Sequence, residues 1–377
     1  MKKFGFIVLA LSLSAIALPA AAGVVSDTKT AAVQQQQPPP LPDEAAAEYG
    51  VYYAEKDQAK KYDLAKKFVE KYNGKIDEYW LKGPKRFITN YEVTLAYNKC
   101  FEADKAFFGG PNEANLNTFL AACDEYAQKA IDKPERYFST RMALGTGFGV
   151  LAGFYKDTAR ATGYAQKAMP LVSDTSVPKG WEAKQWEAFR TESAGRLTQY
   201  MGLYLLRQGT PDPAGAADFL TKAAANKTSG AYKDPNTYLL RAEAVTAEYT
   251  RLNNEYNALS DDDKRGDKGK AALDKIYPTV SKLANDYARV VALTEGKPEY
   301  KAIYDDAKTQ TESFWKFLKN KVEGVEALYA NFKADPSVPD MEIKPEESTT
   351  PKTAPTAPTP ADKTPATKKP VTKKPAQ

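Results

Sequence analysis

Tyr126-Ala127-Gln128-Lys129-Ala130 recurs, residue for residue, as Tyr164-Ala165-Gln166-Lys167-Ala168, 38 positions later. Both copies sit where apolar residues return at steps of three and four, the spacing of one helix face. A spacing of 38 is too long for one short helix and its turn, and it suits a unit of two helices. Such a hairpin buries its apolar face only against a neighbouring hairpin, so the pair predicts a stack. Within each copy the alanines are expected to point inward and the Gln and Lys to stay wet.

Working outward, residues 42 to 333 read as helix almost throughout, because period-two runs of β-branched residues are missing. Asp212-Pro213, Asp234-Pro235 and Lys297-Pro298 place proline at a first helical position, and the two aspartates supply caps. Stops are expected at Asn73-Gly74, Gly109-Gly110-Pro111, Gly209 and Ser229-Gly230. The expected fold class is all-α, with about a dozen antiparallel helices and no sheet.

The last third has a different pattern. Tyr238, Ala242, Val245, Tyr249, Leu252, Tyr256 and Leu259 alternate steps of four and three, a seam carried over three heptads. Leu273 to Val290 repeats it around Pro278, and Tyr300 to Phe332 reads as a third long helix. Three such helices predict an antiparallel bundle over 232–334 that closes the hairpin repeats of 42–231. Gly23 to Leu41 and Asp335 to Gln377 are too poor in apolar residues, and too rich in Gln, Pro, Thr and Lys, to predict packing.

At the start, Lys2 and Lys3 precede an apolar run from Phe4 to Leu18 and then Ala20-Ala21-Ala22-Gly23. That order predicts a signal peptide cleaved after Ala22 and a periplasmic or secreted protein of a bacterial envelope. The run is too short to span a bilayer, and no transmembrane segment is expected elsewhere. The formal charge of +5 is carried by the ends: without Lys2 and Lys3, and without the six Lys and one Asp beyond Ser348, Gly23 to Ser348 holds −2. A near-neutral body argues against nucleic-acid binding, while the Lys-rich tail predicts weak attraction to cell-wall polymer or a membrane surface.

The chain has no His and two Cys. This excludes Ser-His-Asp and Cys-His catalysis and the His-containing zinc sites. No cofactor or metal is expected. Cys100 and Cys123 lie on the apolar stripes of consecutive helices, with their midpoint in the turn at Pro111-Asn112. In an antiparallel hairpin the two sulfurs then fall at one height, and the small residues Ala96, Ala103 and Ala127 permit the approach a disulfide needs. A disulfide is expected, with two buried free thiols as the alternative.

Gly149 and Ala161 are twelve apart and Ala168 follows seven later; Gly202, Ala216 and Ala223 make a second such set with a longer turn. These small residues resemble those of the tetratricopeptide repeat, over roughly Arg86 to Ala225. The chain departs from that consensus at Ala127 and Ala165, which stand where the family has an aromatic, in the absence of the first-helix Trp, and at Ser173, which stands in place of the closing Pro. The resemblance implies a right-handed superhelix with a concave groove for peptides or partner proteins, lined by Thr146, Val150, Gln199 and Leu203.

Other motifs have plainer readings. Gly145, Gly147 and Gly149 alternate inside a helical stretch with no strand before them, which favours close helix packing over a phosphate loop. Ser260 with Asp263 three later reads as a helix cap instead of a calcium loop. Trp80, Trp181, Trp186 and Trp315 read as core, with Trp181 and Trp186 the candidates for exposure in their polar stretch. The functional expectation is a non-enzymatic binding scaffold that mediates protein–protein interactions in the envelope. The alternatives are a glycan- or solute-binding protein and, further off, a carboxylate-based glycosidase.

Overall fold

The computed structural model describes residues 38–130 and 136–346. The expected signal peptide, most of the Gly23–Leu41 stretch and the Lys-rich end from 347 lie outside the described residues. Among the described residues the protein is all-helical and has no strand. The chain divides into two compact units, with the division between Thr94 and Leu95.

The first unit holds α1 (Asp43–Ala54), α2 (Gln58–Tyr72) and the start of α3 (Glu78–Gly109). Asp57 caps α2, its carboxylate accepting from the amides of Ala59 and Lys60. Ala45, Phe68, Tyr72 and Leu81 form the core, and Leu41 packs against it. Trp80 Nε1 donates to Pro39 O at 2.8 Å. The end of the expected linker is therefore docked, because Leu41 is one of the few apolar residues near it and Trp80 needs an acceptor.

The second unit continues through α4 (Glu113–Lys129), α5 (Arg136–Leu151), α6 (Thr158–Ser173), α7 (Ala183–Arg207) and α8 (Pro213–Ala225). Then come α9 (Pro235–Asn257), the single turn α10 (Asp261–Arg265), α11 (Asp267–Thr294), α12 (Lys301–Lys319) and α13 (Val325–Ala334). Asp212, Asp234 and Ser260 cap their helices through their side chains, as the Asp-Pro and Ser-x-x-Asp signals predict, and Asp157 does the same for α6. Lys297-Pro298 opens only a short 3-10 turn.

From α4 to α9 each helix packs on its chain neighbour, and α5 on α7 and α7 on α9 as well. Polar locks recur at the period of the pentapeptide: Asp104 with Arg141, Asp124 with Arg160, Arg196 with Asp234 and Arg207 with Glu243 are 36 to 38 residues apart. The Gly string works as close packing. A Cβ on Gly145 would meet Phe107, one on Gly147 would clash with the Tyr200 ring at 2.1 Å, and one on Gly149 would meet Tyr155 and Leu116. Gly202 faces Leu220 and the Ala216 carbonyl, as its small-residue pairing implies. In the pentapeptides, Tyr126 and Tyr164 are buried, and so are Ala165 and Ala168. Ala127 instead is exposed and Ala130 half-buried, a correction to the inward reading, since α6 is flanked by both α5 and α7.

The last third buries its seams as expected: Tyr238, Ala242, Tyr249, Leu252 and Tyr256 share one core with Ile276, Val280, Leu283 and Phe314. Each such aromatic or leucine contributes roughly 1.5–3 kcal/mol on burial. Two expectations are corrected. The third long helix is two, α12 and α13, because Asn320 (φ 59°) and Gly324 (φ 92°) take left-handed backbone that ends one helix and precedes the next. The chain beyond α13 does not leave the surface at Asp335: residues 335–346 run as a nonhelical strap against this core, with Ile343 buried and Val338 and Met341 packed on it.

Candidate functional site

The strap lies on a face built by α9 and α11. Tyr238 and Arg241 are one turn apart on α9, while Asn285, Asp286 and Arg289 share neighbouring turns of α11. These three polar residues interrupt a run, Leu283 to Val291, that is buried all round. A helix buried on every side is normally apolar, so each polar group there must have a partner.

The partners are largely the strap's backbone. Arg289 Nε donates to Pro336 O at 2.8 Å and its Nη2 to Val338 O at 2.7 Å. The Tyr238 hydroxyl lies 3.1 Å from Pro336 O. Asn285 pairs with Met341 at two points, donating from Nδ2 to the carbonyl at 3.1 Å and accepting the amide at 2.8 Å. At the far end Glu346 N donates to Leu318 O at 2.7 Å. Lys227 Nζ and the Ser337 hydroxyl and amide meet the Asp335 carboxylate at the near end.

Charge is arranged around Asp286 and Arg289, only 1% and 2% exposed in their side chains. Arg241 grips Asp286 through Nε at 2.6 Å and through Nη2. Arg289 Nη1 stands 3.8 Å from Asp286 and 2.8 Å from Asp340 of the strap, whose Oδ1 also accepts from Arg241 at 3.3 Å. Burial pushes the Asp286 carboxyl above its usual range, against the pull of Arg241. Burial likewise pushes the Arg289 guanidinium down, and Asp286 opposes it. With both arginines charged, the helices alone supply two cations and one anion; Asp340 balances them. The Arg289 guanidinium also lies 3.9 Å from the Phe332 ring centroid, a cation–π contact from α13.

The residues the repeat resemblance assigned to a groove lie elsewhere. Thr146 and Gln199 are 0% exposed and Leu203 is 1% exposed, while Val150 is half-buried. The correction has a simple cause: α7 covers α5, and α9 covers α7, so these faces are inside the stack. Thr146 bonds back to the Met142 carbonyl at 3.0 Å. Gln199 stitches α7 to α9 through Thr237 Oγ1 at 2.9 Å and Asp234 at 3.1 Å.

Cys100 and Cys123 form the expected disulfide, with Cα atoms 4.6 Å apart, and it joins α3 to α4. Trp186 is buried against Trp181 and Phe189, while Trp181 is half-buried, so the exposure expected of Trp186 is not found. Its ring fills the polar stretch's one deep contact, beneath the Arg136 guanidinium. In the first unit a depression of about 440 Å³ is lined by Ala47, Val51, Leu64 and Phe68, with Glu48, Lys67 and Lys71. Among the described residues no group of three or more His, Cys, Asp or Glu could hold a metal ion, and no helix is long and apolar enough to cross a membrane.

Sequence reasoning passed over the strap face because its signals are short. Asn285, Asp286 and Arg289 inside an apolar run, and Met341-x-Ile343 after the last helix, are the marks that point to it. No family model matches the chain, and neither a curated protein nor a solved structure matches it.

Proposed function

We propose that this protein is an exported, non-enzymatic scaffold that binds protein segments in the bacterial envelope. One observation carries the reading: a face of α9 and α11 already seats a nonhelical stretch of chain, a turn at Pro336–Val338 followed by irregular chain to residue 346, chiefly by bonding its backbone. Side chains that bond carbonyls and amides hold a nonhelical peptide with few demands on its sequence, which is the physical basis of peptide recognition. The packing of α5 on α7 and of α7 on α9, and the locks spaced like the pentapeptides, support a tetratricopeptide-like solenoid that passes into the long-helix bundle. The disulfide supports an oxidising compartment and so export.

The buried carboxylates favour scaffold over hydrolase chemistry. Asp104 and Asp286 each face a guanidinium, which keeps them from serving as a free acid–base pair. Burial of Trp186 and Trp315 removes two of the aromatic faces a glycan site would use. The test is affinity capture with the full chain from envelope extract, alongside a glycan array. Retention of a specific protein is expected; retention of glycan with no specific protein would overturn the reading.

A further inference from the structure

We infer that the α9/α11 face is a groove for a nonhelical partner segment with one carboxylate among aliphatic residues, and that Asp335–Glu346 occupies it as a built-in competitor. The inference rests on the binding reading above and names its ligand.

Three observations point to this ligand. The groove bonds Pro336 O, Val338 O and both backbone groups of Met341, none of which requires a particular side chain. Val338, Met341 and Ile343 pack on the core, so the groove does select apolar residues at those positions. Asp340 is the second anion between Arg241 and Arg289. With the strap lifted, two guanidiniums would share Asp286, and an occupant that buried them again without a carboxylate would leave that imbalance in place. The pattern required is therefore aliphatic-x-acidic-aliphatic-x-aliphatic, as in Val338-Pro339-Asp340-Met341-Glu342-Ile343.

The strap is tethered directly to α13, so its local concentration at the groove is on the order of millimolar. A partner segment meets a groove that is mostly filled, and its apparent affinity falls by the fraction of time the strap is away. Any change that weakens the strap alone raises the affinity for the partner.

The experiment uses fluorescence anisotropy with a labelled peptide of the Asp335–Glu346 sequence and the full chain as wild type, Asp340→Asn and Asp340→Lys. Wild type is expected to bind weakly, and both variants at least about 10-fold more tightly, because the peptide restores the carboxylate their own straps lack. A peptide with Asp340→Asn is expected to bind every chain more weakly. Circular dichroism checks folding; where the Lys variant fails it, the near-isosteric Asn variant carries the comparison. On the wild-type chain, excess peptide is expected to speed hydrogen exchange in the strap while leaving α11 protected. Equal binding to all three chains, equal binding of the substituted peptide, or unchanged strap exchange would overturn the groove. If the full chain still captures an envelope protein equally with Asp340→Lys, the groove fails and the scaffold reading stands. If no protein is captured either, both fail.

Discussion

Replacing Gly147 by Ala puts the central contact of the hairpin stack under load. A Cβ there would stand 2.1 Å from Cδ2 and 2.4 Å from Cγ of Tyr200, a side chain of α7 that is 7% exposed. Ordinary carbon contact is about 3.5–4.0 Å, so ring and helix must separate by roughly 1.5 Å. Such overpacking costs about 1–3 kcal/mol, against about 1 kcal/mol gained by removing glycine from a helix interior. The obstacle is the base of a buried ring, so the upper end applies and the net loss should be about 2 kcal/mol. Gly163→Ala on α6 is the control, since nothing lies within 4 Å of its Cβ and only the helix gain remains. Urea denaturation of both full-length variants at unchanged m-value reads the difference. Gly163→Ala should be slightly more stable than wild type and Gly147→Ala less stable, a gap of about 3 kcal/mol. Equal midpoints for the two would refute the close approach of α5 and α7.

Other perturbations have equally definite outcomes. Reducing Cys100–Cys123, which closes a separation of 23 residues, should cost about 3 kcal/mol and lower the urea midpoint; native-state alkylation of unreduced protein should label neither Cys. Asp104→Ala strands the Arg141 guanidinium that it meets at 2.8 and 3.1 Å, and should cost about 3 kcal/mol in the same assay. The double variant Asp104→Leu/Arg141→Met should recover most of that loss, since it leaves no buried charge alone. Burial pushes the phenols of Tyr137 and Tyr200 from 10.0 to about 12. Their neutral forms are favoured in the fold, so this share of stability is present below pH 10 and lost as pH rises through about 12. Absorbance at about 295 nm, where phenolate but not phenol absorbs, should show a late, cooperative step at the pH of unfolding.

The sequence showed most where one physical demand acts on neighbouring residues. Helix caps at Asp212, Asp234 and Ser260 and the seam Tyr238 to Tyr256 depend on local backbone chemistry and a fixed period, and they formed as read. The Cys pair was legible because a hairpin relates residues about a shared turn. Thr146, Gln199 and Leu203 were misplaced because which side of a helix is covered depends on the next hairpin, a contact about 38 residues away that periodicity does not encode. The break at Asn320 was hidden because Tyr300 to Phe332 keeps its apolar spacing across it. The strap was hidden by composition: its Pro and Glu residues look like the tail that follows, and three aliphatic side chains suffice to dock it once α11 offers donors.

Those donors say why a nonhelical segment and not another helix covers α9 and α11. A helix spends its carbonyls on its own amides and presents only side chains to a neighbour. Arg289 has donors buried on this face that find their acceptors in the strap, and a helix laid there would leave them to find side-chain acceptors in register; Tyr238 and Asn285 also reach Tyr232 O and Ser281 O, each at 2.8 Å. A nonhelical segment leaves carbonyls unclaimed by a helical ladder and can bring them at the spacing needed, as the Pro336–Val338 turn does for Arg289. Elsewhere in the second unit the locks join helix to helix within the stack: Asp104 meets Arg141, and Glu243 meets Arg207. At α9 and α11 two arginines share one helix-borne carboxylate and take their second from beyond α13, at Asp340. The face is complementary to nonhelical chain in both its donors and its charge, and it would remain so for any such segment that supplies a carboxylate at that place.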